Sequence, residues 1–151
     1  MSVVLPMAAL RERIDARGLH IDNAKACAAA LQAGRHLILT SPNPERALAC
    51  AEAFASVAVE AGLALGALTL SGNAARLLTL NEVVSDAFKD DFWLIVSRAD
   101  ADAVERTATY IVHRRPSEHW RAVVVTSCSP RRLLGERMLR SGRLFAVFEI
   151  S

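Results

Sequence analysis

The residues best placed for chemistry lie between Arg35 and Phe54, RHLILTSPNPERALACAEAF. An apolar run, His36 to Thr40, stops at Ser41-Pro42-Asn43-Pro44, and a helical pattern begins at once. A strand, a tight turn and a helix is the local arrangement that turns backbone N–H groups toward a phosphate. A phosphate cradle also needs glycines so that those N–H groups converge, a Lys for the terminal phosphates and a Ser/Thr hydroxyl for Mg²⁺. Here no glycine lies between Gly34 and Gly62, the turn has no lysine, and Pro42 and Pro44 remove two backbone donors. The turn is instead a self-contained helix start. Asn43 suits the N-cap, Pro44 the first helical position, and Glu45 the positive end of the helix dipole. Such a cap occupies the donors that a phosphate would use. Ser41, Pro42, Asn43 and Pro44 therefore read as a degenerate phosphate-loop position, and Arg46 as a candidate contact for an anion or a partner.

Two further groups of residues carry possible chemistry. Cys128 follows an apolar run, where the carboxyl end of a strand would place it, and with His113 or His119 it has the types for a thiolate pair. Nothing in the sequence brings these residues together, and a structural Cys128 is the simpler reading. Arg114, Arg115, Arg121, Arg131, Arg132, Arg137, Arg140 and Arg143 crowd the last third of the chain. Arginines so gathered can bind nucleic-acid phosphate. Glu118 and Glu136 interrupt the set, however, and Arg132, Glu136 and Arg140 have the i,i+4 spacing of a self-paired helix face. Arg98, Arg131, Arg132 and Arg143 stand with Arg46 as candidate partner- or anion-binding residues. His20, His36, His113 and His119 have no metal-ligand spacing, so neither a metal nor a cofactor is expected.

The elements that would position these residues follow in order. Met7 to Ala16 and Asn23 to Ala33 read as two N-terminal helices, the second capped by Asp22 and ended by Gly34. Its Ala24, Cys27, Ala28 and Leu31 share one face and should pack rather than bind. After the central turn, Pro44 to Ala61 is a helix ended by Gly62. Leu65 to Leu70 is a second strand, Ser71-Gly72-Asn73 a turn, and Ala74 to Lys89 a weakly helical stretch. Phe92 to Val96 (FWLIV) and Arg121 to Thr126 (RAVVVT) read as buried strands. Between them Asp100 to His113 is a helix capped by Asp100. Ser129 to Arg140 is a helix with Pro130 in its first turn, and Leu144 to Ile150 a last strand. Apolar strands alternating with helices predict an α/β domain, a mostly parallel sheet of about five strands covered on both faces.

Composition bounds the rest. With 151 residues, 52% hydrophobic and 23% charged, the chain suits one globular domain rather than a disordered one. Its net charge of +2 is too small to imply a partner. Cys27, Cys50 and Cys128 form neither a disulfide framework nor a metal pair. The N-terminus, MSVVLPMAALRERID, is charged too soon for a signal peptide, and no run reaches the roughly 20 apolar residues of a membrane span. A cytoplasmic protein with reduced thiols is the expectation.

Taken together, these segments resemble the core of an AAA+ ATPase of the McrB-like branch, from about Asn23 to the C-terminus. Ala33 to Thr40 (AGRHLILT) resembles the strand before a Walker A loop. Phe92 to Val96, with Arg98-Ala99-Asp100 after it, resembles the Walker B strand. Trp120 to Thr126 (WRAVVVT) resembles the sensor 1 strand, and Leu139 to Glu149 the arginine-finger segment with its following strand. The resemblance implies a three-layer P-loop-NTPase-like sandwich over residues 1–151; the family's helical lid, by contrast, is not expected here. Within each segment the catalytic residues of the family are missing. Ser41 to Pro44 replaces the Walker A glycines, Lys and Ser/Thr. Val96 runs into Ser97-Arg98 without the acidic pair that holds Mg²⁺ and polarises water. The sensor position falls near Ser127, and Leu144 stands beside Arg143 where the family has an arginine. All these parts act on one γ-phosphate, so their joint loss points to a non-hydrolysing, pseudo-ATPase-like domain. It would serve as a protein-interaction or regulatory module, by self-association or with a partner such as an active AAA+ subunit. The alternatives are a nucleic-acid-binding module using the Arg-rich third, and a protein that still binds or hydrolyses nucleotide.

Overall fold

The computed structural model describes residues 5–16, 24–75, 92–114, 120–128 and 145–150. Its elements in chain order are α1 (Met7–Ala16), α2 (Ala24–Gln32), β1 (His36–Thr40), α3 (Pro44–Glu60), β2 (Gly66–Ser71) and α4 (Gly72–Ala75). They continue with β3 (Phe92–Ala99), α5 (Ala101–Arg114), β4 (Ala122–Thr126) and β5 (Phe145–Glu149). The strands form one five-stranded sheet in the order β2-β3-β4-β1-β5, and every pair is parallel. The sheet expected to be mostly parallel is wholly so among the described residues.

Parallel strands buried on both faces need apolar residues at every position. Every residue of β1 (HLILT) and of β4 (AVVVT) is buried, as in the centre of such a sheet. On one face Leu37, Leu39, Trp93, Ile95, Val123 and Val125 meet Ala47, Cys50, Ala51, Phe54, Val57 and Ala58 of α3. Leu10 and Ile14 of α1 and Cys27 and Leu31 of α2 belong to the same core. On the other face Ile38, Leu94, Val96 and Val124 meet Ala103, Val104, Ala108 and Ile111 of α5, with Trp120 and Phe145 closing the core. Helices thus cover both sides of the sheet, an α/β arrangement in three layers.

The helix ends follow the expected signals. Gly34 and Gly62 take φ of +89° and +76°. Past each, the chain folds back so that Arg35 N–H donates to Ala30 O and Leu63 N–H to Ala58 O. These bonds satisfy carbonyls that a helix end otherwise leaves open. Arg13 of α1 pairs with Glu60 in the last turn of α3.

Several element ends shift by one residue from expectation, as at Gln32, Glu60, Ala122 and Glu149, and three differences affect the site or the sheet edge. β2 begins at Gly66, and Leu65 is 74% exposed. The turn at Ser71-Gly72-Asn73 is the start of the short helix α4. β3 continues past Val96 to Ala99, because a bulge at Ser97-Arg98 lets Ala99 resume pairing with Thr126. The expected cap at Asp22, most of the helix 74–89, the helix 129–140 and Leu144 lie outside the described residues.

Candidate functional site

Open α/β sheets place ligands beyond the carboxyl ends of the strands, where connections leave to opposite faces. In this sheet β1 leads into α3 on one face and β3 into α5 on the other, with the end of β4 between them. The candidate site is therefore the row Thr40-Ser41, Thr126-Ser127 and Ser97-Arg98, contributed by three neighbouring strands.

At the end of β1, Ser41 is buried and its N–H donates to Thr126 O at 3.0 Å, extending the β1–β4 ladder into the turn. Ser41 Oγ accepts the N–H of Asn43 at 3.0 Å. Asn43 then caps α3: its Oδ1 accepts the Arg46 N–H at 3.3 Å, and its carbonyl accepts the Ala47 N–H at 3.3 Å. Pro44 occupies the first turn and has no N–H to offer. Ser41 to Pro44 thus form the cap that the sequence predicted. Arg46 is half-buried against it.

At the end of β3, Ser97 Oγ donates to Leu70 O of β2 at 3.3 Å. Arg98 takes a φ of +50°, the one non-glycine residue with positive φ among those described, and its side chain is exposed. The bulge is held from the side by Gly72, where a Cβ would lie 2.5 Å from the Arg98 carbonyl oxygen. Only glycine fits there. Asp100 accepts the Ala103 N–H at 2.8 Å and so caps α5, as its spacing predicted.

At the end of β4, Thr126 Oγ1 donates to Ala99 O at 2.5 Å and accepts the Cys128 N–H at 3.1 Å. Ser127 is exposed and Cys128 half-buried. Thr126, which the sequence reading passed over, is the residue that ties all three strand ends together. Its partners on β1 and β3 are distant in the chain, so only the sheet order reveals this role.

Of the candidate arginines, Arg46 and Arg98 belong to this end of the sheet. Arg131, Arg132 and Arg143 lie outside the described residues, as do His119 and the side chain of His113, so the pairing considered for Cys128 falls there too. Arg121, counted with the Arg-rich third, turns inward at the opposite end: its Nε donates to Leu31 O at 2.9 Å and its guanidinium to Trp120 O at 2.8 Å. Beside it His36 is buried, its Nδ1 accepting the Ala122 N–H at 3.0 Å and its ring lying against Trp120 and Phe145. Burial, and then the neighbouring Arg121, push the His36 pKa down to about 3, so the imidazole is neutral. Burial, with Cys50 nearby, pushes the Cys27 thiol up to about 12, which keeps it protonated and unreactive.

Among the described residues no group of three or more His, Cys, Asp or Glu could hold a metal ion, and no helix is long and apolar enough to cross a membrane. Compared with known proteins, the chain matches no family model, no curated protein and no solved structure.

Proposed function

We propose that this chain is a non-catalytic, pseudo-ATPase-like domain that works as a protein-interaction or regulatory module, by self-association or on a partner such as an active AAA+ subunit. One observation carries the reading. The strands that resemble those of Walker A, sensor 1 and Walker B are β1, β4 and β3, and they lie side by side in that order. Nucleotide hydrolysis needs cradle, sensor and metal-holding carboxylate to converge on one γ-phosphate, so this adjacency is what a P-loop ancestry requires. Yet Ser41, Asn43, Ser97 and Thr126 at these ends are hydrogen-bonded within the fold. Ser41 and Asn43 satisfy the start of α3, Ser97 bonds to β2, and Thr126 bonds to Ala99 and Cys128. A scaffold kept while its site is tied shut fits a role in binding other chains.

The test is a thermal-shift and calorimetric titration with ATP and GTP, each with and without Mg²⁺. A ligand that binds only the folded state raises its stability by about 2.7 kcal/mol at a hundredfold excess over Kd. The expected result is no shift and no heat. A saturable shift with either nucleotide would overturn the reading, since it would require the Ser41 to Arg46 turn to open for phosphate.

A further inference from the structure

The two edges of the sheet are built differently. β5 ends in Glu149, and Arg35 reaches across to donate to the Phe145 carbonyl at 2.6 Å. β2 carries no such charge of its own: from Ala61 to Ala75 the sequence holds no charged residue and no proline. Edge strands normally carry lysine, proline or a bulge, because a bare edge is a template for another strand. Among the described residues no strand lies beyond β2 in the sheet. The two large apolar residues exposed among those described, Leu65 (74%) and Phe92 (36%), both lie at the amino end of this edge. Leu65 precedes β2 directly, and the Phe92 ring rests over Gly66.

The sequence of this edge also says what fits it. In an antiparallel pair related by a two-fold axis, facing residues share a side of the sheet, so the axis must pass through a residue and not between two. Ala67-Leu68-Thr69-Leu70-Ser71 is close to a palindrome about Thr69. With the axis there, Leu68 faces Leu70 of the other copy, Ala67 faces Ser71, and Thr69 faces itself. Leu68 and Leu70 already pack on the α5 side of the sheet, while Ala67, Thr69 and Ser71 are exposed on the other. Leucines thus meet leucines on the apolar side, and small or hydroxyl side chains meet on the polar side, where Thr–Thr pairs are favourable. A two-fold interface must be self-complementary, and this strand is.

We propose that β2 is the edge by which two copies of this chain associate, antiparallel across a two-fold axis through Thr69, into one continuous sheet. The proposal rests on the reading of the chain as a self-associating, non-catalytic domain and gives that association a surface.

The experiment is sedimentation equilibrium and light scattering on the full chain across a concentration series, without nucleotide. The wild-type chain is expected to form a two-chain species, and Thr69→Lys, which sets two ammonium groups face to face, to be monomeric with unchanged circular dichroism. In a Cys128→Ser background, Thr69→Cys should cross-link to a dimer on mild oxidation, whereas Ala67→Cys, which meets Ser71 and not itself, should not. A wild-type chain that stays monomeric throughout would overturn the proposal. So would a dimer that survives Thr69→Lys, or cross-linking of Ala67→Cys as ready as that of Thr69→Cys. A monomer without nucleotide binding removes this edge and leaves the non-catalytic reading standing. A dimer that binds ATP does the reverse.

Discussion

Asn43 does at the start of α3 what a phosphate oxygen would do in a nucleotide-binding loop: it accepts a backbone N–H that the helix leaves open. Ser41 holds it in place by accepting the Asn43 N–H, and Ser41 is itself pinned by the carbonyl of Thr126. The chain of bonds from β4 to the helix start means that the cap is part of the sheet's end. Replacing Asn43 by Ala frees the Arg46 N–H and is expected to cost about 1 kcal/mol of stability. Asn43→Asp keeps an acceptor and adds a charge suited to the helix dipole, so it should hold or exceed wild-type stability. Urea unfolding of the two variants checks this, and an Asn43→Ala chain as stable as the wild type would show that the cap contributes nothing.

At the scale of elements, β3 shows where the sequence was readable and where it was not. Phe92 to Val96 is legible as a strand because five apolar residues in a row suit burial on both faces. The same logic found β1 and β4, in HLILT and AVVVT. It fails at Ser97-Arg98, because a polar pair ends the apolar run and the return of Ala99 to the ladder depends on Thr126, far along the chain. The Asn43 and Asp100 caps were legible because capping is local, between residues three apart. The order of the strands, and with it the convergence of Ser41, Ser97 and Thr126, was not, since it is fixed by contacts between distant segments. The bulge also makes a prediction of its own. Arg98 sits at φ +50°, where an L side chain costs roughly 1–2 kcal/mol. Arg98→Gly removes that cost but loosens the unfolded chain by about 0.4–1 kcal/mol. The net expectation is a variant more stable than Arg98→Ala by up to about 1.6 kcal/mol. A glycine variant less stable than the alanine one would mean that the bulge is not strained.

The sheet is closed at its two opposite ends by different means, and at the amino end the means is one that acid can undo. At the carboxyl end Ser41, Asn43, Ser97 and Thr126 bond through hydroxyls and an amide, which do not titrate. At the amino end His36 accepts the Ala122 N–H across β1 and β4, packs on Trp120 and Phe145, and lies beside Arg121, which holds the last turn of α2 through Leu31 O. Protonating His36 there would break its bond to Ala122 and set a second cation beside Arg121. Its folded-state pKa is about 3 against 6.5 for the free side chain. Below pH 6.5 the unfolded chain therefore takes up a proton that the folded chain refuses. The stability that His36 contributes is full above that pH and is lost progressively toward pH 3, at no more than about 1.4 kcal/mol per pH unit. Carboxylates are half-protonated at about pH 4 and begin to take up protons about a unit above it, so a variant that differs only in lacking the imidazole is what isolates the histidine. His36→Gln keeps an acceptor for Ala122 and cannot ionise. Urea unfolding at a series of pH values from about 7 down to about 4.5 should therefore show wild-type stability falling while the Gln variant stays nearly level. Parallel slopes in the two proteins would move the acid sensitivity elsewhere in the chain and leave His36 as a packing residue alone.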